Sequence, residues 1–145
     1  MRYPVLVVLH LFAALIFVGA VFFEVLILRG ARKHASAEAM REVERAVGAR
    51  ARRLMPFVLL VLYGAGLGLA WQYRAVLAHP GGSVLGTLLT IKIVLALSVL
   101  GHFIRAITWM RSGRMTARRS LIIHVSVFCH MIAIVLLAKT MFYVG

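Results

Sequence analysis

Polar residues interrupt this chain in few places, leaving four long apolar runs: Pro4 to Leu28, Leu54 to Tyr73, Val84 to Met110 and Ser120 to Val144. Each supplies about the 20 helical residues that a hydrocarbon core requires. Lipid offers nothing to an unpaired backbone N–H or C=O, so such runs are expected as helices. The pattern predicts an all-α integral membrane protein, a four-helix up-down-up-down bundle forming one domain over residues 1–145. Its helices are expected at about 4–28, 54–73, 84–110 and 120–144, with a basic loop over 29–53. The first run is too long for a signal peptide and carries Glu24, so it reads as a retained span.

Composition agrees. Hydrophobic residues make up 63% of the chain and mean hydropathy is +0.97, against roughly 45–50% apolar in soluble domains. The net charge of +13 raises nucleic acid as a partner. The basic residues collect between apolar runs rather than on a water-soluble face, which argues against it. The lone Cys129 lies inside an apolar run, so neither an internal disulfide nor a CxxC motif exists.

Charge sets the expected orientation. The segment "RGARKHASAEAMREVERAVGARARR" holds eight Lys or Arg, and "RSGRMTARR" adds four. Positive-inside counting puts both in the cytoplasm and both termini outside, on the periplasmic side. Met40, Val43 and Val47 recur at helical spacing, and Glu38 with Arg41 and Glu42 with Arg45 form close charge pairs, so a helix is expected within the first basic loop. "AVLAHPGGS" is a turn through Pro80, Gly81 and Gly82, with His79 exposed. No internal repeat is evident.

A rise of about 1.5 Å per residue assigns each polar residue a depth from the outer boundary. By that measure His10 lies about 9 Å in, Lys92 about 12 Å and Lys139 about 7 Å, whereas His102 lies about 27 Å in, His124 and Glu24 about 30 Å, and His130 about 21 Å. Ionisable groups at such depths cost several kcal/mol unless they pair, face the bundle interior or bind something. His10, Ala14, Phe17, Val21 and Glu24 follow the spacing of one helical stripe. His102 and Arg105 share a face, while His124 and His130 differ by about 120° around the axis. Porphyrin is a fitting occupant, because its iron takes imidazoles from facing helices and its propionates attract Arg or Lys. Gly64 and Gly68 of "YGAGLGLAW" form a GxxxG pair, read as close helix packing or a flat wall for a macrocycle.

At "VLHLFAALIFVGAVFFEVLI" and "LLTIKIVLALSVLGH" the chain resembles the superfamily that joins CopD-like copper-resistance membrane proteins and HemJ-type protoporphyrinogen oxidases. The resemblance covers two of the four runs. It implies that His10 and Lys92 occupy the positions associated with haem binding and activity in the HemJ type. It also matches His102 to a histidine in the later helix, and implies a bacterial inner-membrane location.

The expected function is b-type haem binding in electron transfer or membrane redox chemistry, as a haem-dependent oxidoreductase or an electron carrier, with one or two haems. His102 with His130 or His124 is the expected inner axial pair, and Arg105 a propionate contact. His10 is expected to ligate or border an outer site where Lys92 tunes charge or moves a proton. Quinone or a redox protein are the expected partners, and the chain is open to homo-oligomers or a larger membrane complex. The alternatives are CopD-type copper transport, with metal on His10, His102 and His130, HemJ-type oxidase activity, and an accessory subunit whose buried polar groups only pair with one another. Cu(I) prefers thiolate and thioether ligands, and Cys129, His130 and Met131 fan apart around a helix instead of converging.

Overall fold

The structure, a computed structural model, describes residues 2–144. Four helices are long and apolar enough to cross a membrane: α1 (Tyr3–Ala31), α2 (Ala37–Gln72), α3 (Val84–Arg111) and α4 (Ala117–Thr140). No strand occurs among the described residues. The chain is a multi-pass membrane protein whose helices contact lipid. Leu60 and Leu67, each 72% exposed, are side chains that only an apolar surrounding accommodates in such numbers.

The helices form two compact units, one ending at Gln72 and the other beginning at Tyr73. In the first, α1 packs on α2. Phe17 and Val21 of the expected stripe are buried, with Ala13 and Leu28 beside them, and His10, Ala14 and Glu24 are half-buried. Over Phe23–Leu28 the helix widens to π geometry, and Arg29 N–H bonds back five residues to the Glu24 carbonyl.

The segment 29–53 is less a loop than expected. The turn ends at Ser36, whose Oγ accepts from Ala39 N–H at 3.2 Å, and α2 then runs unbroken through the basic residues into the apolar span. The ion pair that forms is Arg32 with Glu44, Nε to Oε1 at 2.6 Å. It ties the turn to the second helical turns of α2. The expected pairs Glu38–Arg41 and Glu42–Arg45 are not made. Pro56 lies inside α2. The carbonyl it leaves unpaired, four residues earlier, falls in the basic segment, where water can serve it.

In the second unit, one turn of helix (Arg74–Leu77) and a 3₁₀ turn (Pro80–Gly82) lead into α3. Ser83 caps α3, its Oγ accepting from Gly86 N–H at 3.0 Å. α3 packs on α4 about Val99, which is 1% exposed, with Ile123, Val127 and Met131 buried on α4. The connecting turn needs glycine: Gly113 has φ 66°, a conformation a Cβ disfavours. Thr116 caps α4 by accepting from Arg119 N–H at 3.2 Å.

The glycines of α2 are used differently from the GxxxG expectation. A Cβ on Gly64 would meet nothing, whereas one on Gly68 would lie 2.9 Å from Leu6 Cδ1, and one on Gly66 would lie 3.2 Å from His10 Cε1. The close approach of α1 to α2 therefore uses Gly66 and Gly68. Gly66→Ala should cost about 1 kcal/mol relative to Gly64→Ala, because the ring it displaces is held by a hydrogen bond while the helix-propensity gain is shared by both. Thermal unfolding of the two variants in the same detergent checks this, with Gly64→Ala at or above wild type.

Candidate functional site

Inside a span, an imidazole must place two nitrogens, and the helix offers a carbonyl four residues back. His102 Nδ1–H donates to the Ser98 carbonyl at 2.7 Å, His130 Nδ1–H to the Ser126 carbonyl at 2.7 Å, and His124 Nδ1–H to the Ser120 carbonyl at 2.7 Å. A carbonyl can only accept, so in the neutral ring Nδ1 carries the proton and Nε2 the lone pair. His10 reaches the same state across a helix interface, its Nδ1–H donating to the Leu62 carbonyl of α2 at 2.9 Å. All four half-buried histidines of the spans thus share one tautomer.

The Nε2 atoms of two of them are answered by serines on the opposite helix. Ser126 Oγ on α4 donates to His102 Nε2 at 2.9 Å, and Ser98 Oγ on α3 donates to His130 Nε2 at 3.0 Å. Each helix therefore contributes one serine and one histidine, and each serine serves its own helix through its carbonyl and the neighbour through its hydroxyl. The two rings lie with centroids 5.3 Å apart, tilted 58°. This reciprocal clasp joins α3 and α4 through two side-chain hydrogen bonds.

The structure brings together His102 and His130 of the expected residues. His124 keeps to its own helix and makes no cross-helix bond among the described residues, in line with its different direction around α4. Lys92 is half-buried on α3, and no hydrogen bond or ion pair holds its ammonium among the described residues. Arg105 lies over the Trp109 ring, with its guanidinium carbon 4.7 Å from the centroid, and Arg119 of α4 lies 4.8 Å from the same centroid. Cys129 is exposed and Met131 buried, so the Cys-His-Met triplet does fan apart. No group of three or more His, Cys, Asp or Glu side chains able to hold a metal ion occurs among the described residues.

Ser98 and Ser126 were not among the expected site residues. The signal for them corrects the expectation of no internal repeat: a Ser-Val-x-x-His pattern occurs twice, as "SVLGH" at 98–102 and "SVFCH" at 126–130. In an antiparallel hairpin, partners sit at equal distances either side of the turn. Ser98 and His130 lie sixteen residues from Arg114, and His102 and Ser126 lie twelve. The repeat and the turn together dictate the reciprocal pairing.

Whether these residues suit haem is decided by the donor set and the spacing. The anchored Nδ1–H and basic Nε2 are the state in which histidine ligates a metal. As two axial ligands of one iron, however, His102 and His130 do not fit: α3 and α4 touch around Val99, and a macrocycle between the rings would have to part the helices. Were haem to bind in this unit, either His102 or His130 would be the residue to hold it, once the serine hydroxyl bonded to its Nε2 had turned away. No protein-family model, no curated protein and no solved structure matches the chain.

Removing a serine hydroxyl leaves an imidazole lone pair without its donor. Ser98→Ala and Ser126→Ala should each lower stability by about 0.6–2 kcal/mol, the range for interhelical hydrogen bonds in membranes. A double-mutant cycle of Ser126→Ala with His102→Ala should show a coupling of about 0.6 kcal/mol or more, while Ser120→Ala with His102→Ala should show none.

Proposed function

We propose that the protein binds b-type haem through imidazole Nε2 atoms within its spans and takes part in electron transfer or other membrane redox chemistry. The observation that supports this most is the common tautomer: His10, His102, His124 and His130 all commit Nδ1–H to a backbone carbonyl, which fixes ring direction and leaves Nε2 basic. Haem, when bound, supplies one-electron chemistry. His10 is the first candidate ligand, supported by the resemblance to CopD-like and HemJ-type proteins and by the Gly66 surface that seats its ring. His102 or His130 is the candidate from the second unit, with Ser126 or Ser98 as the donor that must yield. Lys92 is the group that tunes local charge or passes a proton.

One observation favours a second reading. Imidazoles whose centroids are 5.3 Å apart are close enough to share one transition-metal ion, at Nε2–metal distances of about 2.0–2.1 Å, with serine hydroxyls at hand. That is the CopD-like copper reading, restricted to an ion that accepts nitrogen and oxygen.

Protein purified in detergent should show a Soret band that shifts on dithionite reduction and a pyridine haemochrome typical of b-type haem. His10→Ala or His102→Ala should remove at least half of it without loss of helix content. Stoichiometric copper without a Soret band, lost in His102→Ala/His130→Ala, would transfer the reading to copper. A colourless, metal-free protein that stays folded in these variants would leave only an accessory role.

The same proposal sets the chain in a bacterial inner membrane with both basic segments in the cytoplasm. In a Cys129→Ser background, an impermeant maleimide should label Gly81→Cys in intact cells and label Ser112→Cys only after the membrane is opened.

A further inference from the structure

The turn end of the α3–α4 hairpin carries an unusual charge balance. All four acidic residues of the chain, Glu24, Glu38, Glu42 and Glu44, precede Tyr73. The second unit therefore contains no carboxylate side chain, yet Arg105, Arg111, Arg114, Arg118 and Arg119 crowd within fifteen residues of each other. Two are held in place. Arg105 and Arg119, from different helices, both lie on Trp109, so their guanidinium carbons are under about 10 Å apart, each at a cation–π distance from one ring. Arg119 Nη1 also donates to the Arg114 carbonyl at 2.6 Å. Arg105 makes no hydrogen bond among the described residues, and its donors remain to be filled.

We propose that this Arg105–Trp109–Arg119 cluster binds the phosphate of an acidic phospholipid headgroup. A guanidinium stacked on an aromatic face keeps its edge N–H donors in a fixed fork, and that fork matches phosphate oxygens. Tryptophan near the end of a membrane-crossing helix belongs at headgroup level. Arg105 lies one turn further into the span than Trp109, so its side chain can extend back to the same level while the hydrocarbon stem stays in the apolar layer. The cluster therefore has its cations, its depth and its rigidity from the protein, and takes its anion from the bilayer. Basic clusters at the cytoplasmic ends of membrane helices attract anionic lipids over zwitterionic ones. Trp109 and Arg119 have no part in the haem reading, and Arg105 enters it as the expected propionate contact and not as an iron ligand, so the lipid titration reads this cluster whatever the outcome for the histidines.

The test uses the whole chain with Trp71→Phe, which leaves Trp109 as the single tryptophan. Its emission in dodecyl maltoside is titrated with phosphatidylglycerol, phosphatidylcholine or inorganic phosphate. Phosphatidylglycerol should give a saturable shift at an affinity at least tenfold higher than phosphatidylcholine, and inorganic phosphate should not reproduce it at millimolar concentration. Arg105→Gln/Arg119→Gln should weaken phosphatidylglycerol binding at least tenfold, and Arg105→Lys/Arg119→Lys should fall between. Arg52→Gln/Arg53→Gln, on α2, should bind as the parent does. Equal responses to the two lipids, or unchanged binding in the Gln pair, would overturn the proposal. So would saturation by inorganic phosphate alone, which would make the cluster a free-anion site. Should the Gln pair fail to retain helix content by circular dichroism, the Lys pair carries the decision: affinity equal to the parent's would overturn the stacked-fork argument.

Discussion

Within a bilayer no water is present to complete a hydrogen bond, and this constraint organises the hydroxyl and imidazole side chains of the spans. The first recourse is the carbonyl four residues back. Thr90, Thr108 and Thr140 donate there with their hydroxyls, to Gly86, Ile104 and Leu136, and His102, His124 and His130 do so with Nδ1–H. A threonine is largely satisfied by that bond. A histidine is not, because committing Nδ1–H leaves Nε2 needing a donor. The remaining need is what reaches across helices, and Ser98 and Ser126 meet it for His130 and His102.

How much of this could be read from the residues alone follows from the same logic. The four spans were legible because length and hydropathy decide them and little competes. The continuity of α2 was half legible: Met40, Val43 and Val47 signalled a helix, while nothing in their spacing says that it joins the following span without a break. The Arg32–Glu44 ion pair was hidden because it depends on how the turn folds back. The use of Gly66 rather than Gly64 was hidden too, since a GxxxG pattern names a spacing and the choice of face is made by where Leu6 and His10 fall on α1. The histidines were visible, and His102 with His130 was expected as a pair of haem ligands, whereas the structure shows the two rings 5.3 Å apart and each bonded to a serine. The serines were overlooked because a serine in an apolar run reads as a small residue until its repeat about the turn is noticed.

The two units meet the constraint in different currencies. In the first, His10 finds a backbone carbonyl on the neighbouring helix, and glycine makes the room. In the second, the exchange is between side chains and is mutual. The second also holds all its fixed charge as cations, so its ends must look outward for balance, whereas the first has carboxylates of its own.

Reciprocity has a mechanical consequence for the α3–α4 hairpin. If α4 slipped by four residues in one direction, about 6 Å, the two imidazoles would come level with each other while Ser98 and Ser126 met Ile134 and Ala106. Slipped the other way, the serines would meet and the rings would oppose Ile122 and Val94. Both bonds break together in either case and no neighbouring alignment replaces them. The clasp thus works as a detent that fixes axial register in a pair of otherwise smooth helices, and any motion that frees one histidine by sliding must free both.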